Sequence, residues 1–145
     1  MLKTTTACFA ILFSSALPVF AGGAADLEEN DIASKSVEAL RALQTELKIE
    51  IDAIIGEAKC DDDNHCGAIA IGANPCGGPE TYKAYSVLDT DVNRIKNLAD
   101  QYKTVRKMLH VKTGTMGACM VIPEPDVQCK GQHCVLIPTT GGLIF

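Results

Sequence analysis

From residue 31 to residue 59 the apolar positions recur every three or four residues: Val37, Leu40, Leu43, Leu47, Ile51, Ile54 and Ala58. That period predicts an amphipathic helix with one buried stripe. Glu38, Arg41, Glu46, Lys48, Glu50, Asp52 and Glu57 fill much of the remaining surface, and no proline interrupts the segment. A second helix is predicted to start near Thr90 and Asp91. Thr90 is the expected cap, and Asp91 places negative charge at the positive end of the helix dipole. Val92, Ile95, Leu98, Ala99, Tyr102, Val105 and Leu109 form its apolar stripe, and Gly114 is the stop signal. Between the helices, Cys66–Ile71 alternates Ile69 and Ile71 with Ala68 and Ala70, which predicts a short strand. The residues from 72 to 79 hold Pro75, Pro79, Gly72, Gly77 and Gly78, and that composition predicts a loop.

Beyond the second helix the period shortens. Residues 119 to 122 are mostly apolar and run into Pro123-Glu124-Pro125, which predicts a further strand. Residues 127 to 129 and 133 to 137 flank Gly131 and predict a hairpin. Pro138 and Gly141-Gly142 loosen the pattern ahead of Leu143-Ile144-Phe145. The expected fold is α+β: two amphipathic helices packed on a small antiparallel sheet. The expected boundaries are a flexible acidic lead-in at residues 22–30, a single disulfide-stabilised domain at 31–138 and a tail at 139–145.

The first residues follow a different logic. Met1-Leu2-Lys3 is basic, residues 7 to 17 are mostly apolar, and Val19 and Ala21 are compact residues at positions three and one before the next bond. This is the pattern of a secretory signal peptide at residues 1–21, with Ala24 or Ala25 as alternative cleavage points. A membrane span needs about 20 apolar residues, and this run is shorter and broken by Ser14, Ser15 and Pro18. Cys8 lies too early in the run to become a lipidated first residue. A periplasmic or secreted protein without a transmembrane helix is therefore expected after cleavage.

Removing Cys8 with that segment leaves Cys60, Cys66, Cys76, Cys119, Cys129 and Cys134. An even set in an exported chain predicts three disulfides. Cys60 and Cys66 flank a polar turn, and Cys129 and Cys134 flank another, so local closure of each is one pairing. A bridge from the early cluster to the late one stabilises more, because the longer loop loses more entropy when unfolded. At least one such bridge is expected. A zinc site is the rival reading, set aside for want of a paired short-spacing cysteine motif.

Charge divides the chain. Residues 22 to 64 carry 12 acidic and 4 basic side chains. The second helix carries Arg94, Lys96, Lys103, Arg106, Lys107 and Lys112 against Asp100. Either the two helices complement one another or the basic face meets an anionic partner. The mature chain holds 12 basic against 18 acidic residues, which argues against nucleic acid.

Few residues carry recognisable chemistry. Asp61, Asp62, Asp63 and Asn64 are dense enough in oxygen for calcium, but not at the spacing of a helix-loop-helix calcium site. His65 and His133 each precede a cysteine, and with residues 61–63 they define the alternative of a small hydrolase or metal-dependent enzyme. His110 is the third histidine. No HExxH or GxSxG pattern is present, and no catalytic residue, metal ligand or cofactor is assigned. The candidate binding surface is the glycine-rich loop, Gly77 and Gly78, with Tyr82 and Tyr85 beyond it. It is closed by a cysteine and displays aromatic side chains.

Pro75-Cys76-Gly77-Gly78-Pro79, Tyr82, Tyr85-Ser86, Thr90-Asp91, Tyr102, Gly114, Cys119, Cys129, Gly131 and Cys134 together resemble a pattern in small exported bacterial proteins of unassigned activity. The resemblance implies a bacterial envelope or secreted setting and transfers no catalytic residue. The reading is a non-enzymatic binding or inhibitor-like module with a protein or envelope partner. A structural envelope protein is a third possibility. Intact mass of the exported protein should match a chain that begins near Gly22, lacks Cys8 and bears no lipid. A mature species retaining Met1 would overturn both the compartment and the cysteine count.

Overall fold

A computed structural model describes residues 29–117, 119 and 122–139. The segment read as a signal peptide, most of the expected acidic lead-in and residues 140–145 of the expected tail lie outside the described residues. The order of elements is α1 (Glu29–Ser34), α2 (Val37–Ile55), a 3-10 turn (Asp63–His65), β1 (Cys66–Ile71), β2 (Thr81–Ser86), α3 (Val92–Thr113), β3 (Asp126–Lys130) and β4 (His133–Ile137).

The first predicted helix is two. Ser36 adopts an extended conformation, and its hydroxyl oxygen accepts from Ala39 N–H at 3.2 Å, which caps α2 and separates it from α1. Glu29 and Asn30, expected in the lead-in, belong to α1. Leu40, Leu47, Ile51 and Ile55 are buried along α2, with Val37, Leu43 and Ile54 packed against them. Ala58 is buried too, but beyond the end of the helix, with φ 50°. At α3 the cap is Asp91 rather than Thr90. Its Oδ1 accepts from Arg94 N–H at 3.0 Å, while Thr90 is buried. The predicted stripe is buried from Ile95 to Leu109, with Val92 half-buried, and Gly114 ends the helix in the left-handed region.

The fold is α+β as expected, and among the described residues the strands form two antiparallel pairs, β1 with β2 and β3 with β4. The register places Gly67, Ile69 and Ile71 opposite Tyr85, Lys83 and Thr81. That face meets α2 and α3: Ile69 and Ile71 enter the core with Ile95, Leu98 and Val105, and Lys83 Nζ reaches Asp52 of α2 at 2.7 Å. The ammonium of Lys83, with that of Lys48 assisting, holds the Asp52 carboxyl below its ordinary range. On the opposite face Cys66, Ala68 and Tyr82 lie beside the second hairpin and its flanking segments, while Ala70 is exposed. The domain is therefore three layers: helices, first hairpin, second hairpin. The second hairpin turns on Gly131 and Gln132, with φ 59° and 64°. Two successive left-handed residues match the twist of the flanking strands, and glycine reaches that region without a Cβ penalty.

Strand β2 is an element the sequence pattern did not predict. Its alternation, T-Y-K-A-Y-S, puts a lysine on the core face and a tyrosine on each face, so neither face reads as apolar. Of the strand predicted at 119–122, Met120 and Val121 lie outside the described residues, and Cys119 and Ile122 belong to no strand.

Electrostatic complementarity joins the layers. Arg94 of α3 pairs with Glu50 of α2, and Arg106 of α3 pairs with Glu80 beside β2. Gln44 links the two helices, donating to the Tyr102 hydroxyl at 3.3 Å and accepting from Arg106 at 3.4 Å. No helix among the described residues is long and apolar enough to cross a membrane. Leu98 is fully buried and Val111 is 76% exposed on the same helix. Urea denaturation of Leu98→Ala should show a loss of about 2–5 kcal/mol, and Val111→Ala should stay within about 0.5 kcal/mol of the parent.

Candidate functional site

Three bridges hold the loops on which a site can be built: Cys60–Cys129, Cys66–Cys134 and Cys76–Cys119. Each joins the early cysteine cluster to the late one, so neither local closure forms. The bridges fit a chain that matures in an oxidising compartment. Cys129 and Cys134 are direct cross-strand partners in the second hairpin, and each reaches back to a different segment.

The glycine-rich loop spans from β1 to β2 and is held at its base, middle and tip. Glu80 N–H donates to Ile71 O at 2.9 Å, and Asn74 Nδ2 donates to Pro79 O at 2.7 Å. Gly77 N–H donates to Asn74 O at 3.0 Å, which closes a turn at Pro75-Cys76. The bridge to Cys119 then ties the tip to the chain after α3. Gly77 and Gly78 have φ of 103° and 77°, angles that side chains with a Cβ rarely adopt, and a Cβ on either would meet nothing within 4 Å. These glycines are thus exposed and explained by turn geometry. His110, the third histidine, donates from Nε2 to Ala73 O at 2.8 Å, fastening the loop to α3.

The two tyrosines part company. They stand three residues apart in one strand, so they point to opposite faces. The ring of Tyr85 lies over Gly67, where any Cβ would collide with it, and packs against the core. Tyr82 instead lines an apolar groove of about 300 Å³. Its walls are Thr81 and Tyr82 from β2, Ile122, Pro123 and Pro125 from the segment before β3, and Leu136, Pro138 and Thr139 from the end of β4. Gly77 and Gly78 are not among them. The proposed loop surface therefore divides into an exposed tip and a groove, and only Tyr82 belongs to the groove. The prolines of that groove were visible in the sequence as strand terminators; what the sequence lacked was the stacking of the two hairpins, which brings residues 40 to 60 positions apart to one wall.

The residues of the enzymatic alternative are engaged in holding backbone. Asp62 caps the 3-10 turn, accepting from Asn64 N–H at 2.7 Å, and Asp63 Oδ1 accepts from Cys129 N–H at 2.7 Å. His65 Nδ1 accepts from Asp61 N–H at 3.3 Å, and His133 donates from Nδ1 to Glu57 O at 2.9 Å. The oxygen cluster is a pinned turn that anchors the second hairpin. On the basic helix, Arg94 and Arg106 are used in the ion pairs above, while Lys96, Lys103 and Lys107 are exposed.

No protein-family model matches this chain, and neither a curated protein nor a solved structure is significantly similar to it. Peptide mapping of the unreduced protein should recover the three crossed linkages. Recovery of a Cys60–Cys66 or a Cys129–Cys134 peptide in the folded protein would overturn the stacking of the hairpins, and the groove with it.

Proposed function

We propose that this chain is an exported, non-enzymatic binding module of the bacterial envelope or secretome, inhibitor-like in using a rigid surface, and that it engages a protein partner through the Tyr82 groove. The observation that carries the reading is the groove itself. An aromatic ring, three prolines and two aliphatic side chains converge there on a scaffold closed by disulfides. Tyrosine supplies large contact area at small entropic cost, and aromatic anchors in apolar pockets dominate interface energetics. Proline contributes no backbone donor, so three of the lining residues add no N–H that a partner must satisfy. A wall fixed by bridges before binding loses little freedom on association.

The partner suited to such a groove is an extended segment offering one or two apolar side chains. The exposed glycines at the loop tip are not required for this contact. The pattern of exported bacterial proteins noted in the sequence accords with the setting, and the crossed bridges accord with an oxidising one.

Capture from envelope extract by the immobilised mature chain, compared with two substitutions, tests the reading. Tyr82→Ala should abolish capture of a defined partner, with a melting temperature close to that of the parent. Tyr85→Ala should lower the melting temperature, because it uncovers Gly67 and part of the core. Undiminished capture by well-folded Tyr82→Ala would remove the groove and direct attention to the lysine face of α3.

A further inference from the structure

Four of the six paired cysteines meet at one point. Cys129 and Cys134 face each other next to the turn of the second hairpin, Cys60 lies in the segment bridged to His133, and Cys66 opens β1. The Sγ atoms of Cys60, Cys66 and Cys134 lie within 4.8 Å of one another, and Cys129 Sγ is bonded to that of Cys60. The two disulfides are therefore immediate neighbours. Cys60 and Cys134 are buried, at 3% and 7% exposure.

Backbone contacts seat these four positions alongside the sulfur bonds. Cys60 N–H donates to Gln132 O at 3.0 Å, and Cys134 N–H donates to Ala58 O at 2.8 Å. Cys129 N–H is taken by Asp63, and Cys66 is paired with Ser86 in the first hairpin. Reduction breaks the two bridges but none of these hydrogen bonds directly, and a metal ion bound by the freed thiols would replace the lost staples. Four thiols from three backbone segments then stand around one place, two of them buried (Cys60 and Cys134) and two half-buried (Cys66 and Cys129). Zinc–thiolate bonds of about 2.3 Å set tetrahedral sulfur–sulfur edges of roughly 3.8 Å; the Sγ atoms of Cys60, Cys66 and Cys134 lie within 4.8 Å of one another, and Cys129, outside that set, would turn in from its place on β3. The hairpin supplies a single pair at the wide end of zinc-ligand spacing, Cys129-x4-Cys134, and the other two thiols come from separate segments, so the sequence shows no two-pair zinc motif. Thiolates at such a site select a borderline or soft ion and not calcium or magnesium.

We propose that this cluster is a redox-gated zinc site: two disulfides when oxidised, and one tetrahedral zinc(II) held by Cys60, Cys66, Cys129 and Cys134 when reduced. Each bridge takes two electrons and two protons from one dithiol, which closes to its own disulfide. Coordination of Zn²⁺ then replaces the four thiol protons, which pass to solvent. Metal and disulfides are alternative staples at the same place, so the second hairpin stays docked in a reducing setting as well as an oxidising one. The site is separate from the Tyr82 groove and does not rest on the binding reading.

The test uses the full mature chain with Cys76→Ser and Cys119→Ser, so that only the four cysteines remain. After reduction by a phosphine and desalting under argon, cobalt(II) is titrated in. One Co²⁺ per chain should give the visible bands of a tetrahedral thiolate site, bleached by one equivalent of Zn²⁺, with a native far-UV spectrum. The oxidised protein should give no bands and far less than one zinc per chain. Adding Cys66→Ser and Cys134→Ser together should remove the bands and weaken zinc binding at least tenfold. Absence of bands in the reduced chain, or bands that survive that pair of substitutions, would overturn the site. So would stoichiometric binding without a native far-UV spectrum, which would mean thiols gathered by an unfolded chain.

Discussion

The second hairpin depends on a pair of crossed bridges. Two strands of five residues do not hold together alone in water, and the chain enters this hairpin only after α3 is complete. Cys60–Cys129 and Cys66–Cys134 close loops of 69 and 68 residues. In the chain-entropy account, one such closure removes about 4 kcal/mol of unfolded-state freedom. The second then closes a ring of only about a dozen residues and contributes about 3 kcal/mol. The pair matters for geometry more than for the sum. One bridge would leave the hairpin free to swivel; two, from adjacent cross-strand positions to separate segments, fix its orientation over β1 and β2.

Charge supports the same arrangement from the helical side. The acidic first half of the chain and the basic α3 are complementary at specific places, Arg94 to Glu50 and Arg106 to Glu80, and Lys83 brings β2 to α2 through Asp52. The Arg94 and Arg106 pairs are partly shielded, which makes them worth more than exposed pairs but still modest beside the apolar core. Their value is positional. Glu80 stands where a Cβ on Gly72 would be, so the loop base, β2 and α3 meet at one carboxylate. The complementary reading of the helices is thus realised by the two arginines, and the lysines remain outside it.

What was legible in the sequence follows from where the physics is local. The stripes of α2 and α3, the alternation in β1 and the turn at Gly131 are short-range patterns, and the structure has them where the pattern put them, apart from Ala58, which lies beyond the end of α2. Ser36 and Asp91 were harder, because a cap depends on which neighbouring residue first leaves the helical region, and Thr90 and Asp91 both qualify chemically. Strand β2 was illegible for a tertiary reason: Lys83 on its core face is stabilised by Asp52, 31 positions earlier, and Tyr85 is accommodated by a glycine in the partner strand. Disulfide pairing is likewise non-local. The long-range preference pointed to at least one crossed bridge, and all three are crossed.

The divergence of Tyr82 and Tyr85 shows how that illegibility bears on function. In a loop the two rings would form one aromatic surface with Gly77 and Gly78, the reading that composition favours. In a strand, a separation of three residues sends them to opposite faces. One face is already committed to the helices, so Tyr85 becomes packing. The other face is covered by a hairpin too short to reach the end of β2, and its flanking segments carry Pro123, Pro125 and Pro138, which cannot extend the ladder through an N–H. The uncovered remainder is the groove, and Tyr82 is its aromatic wall. A binding surface here is the consequence of an incomplete layer, and its shape is set by the same crossed bridges that seat the hairpin.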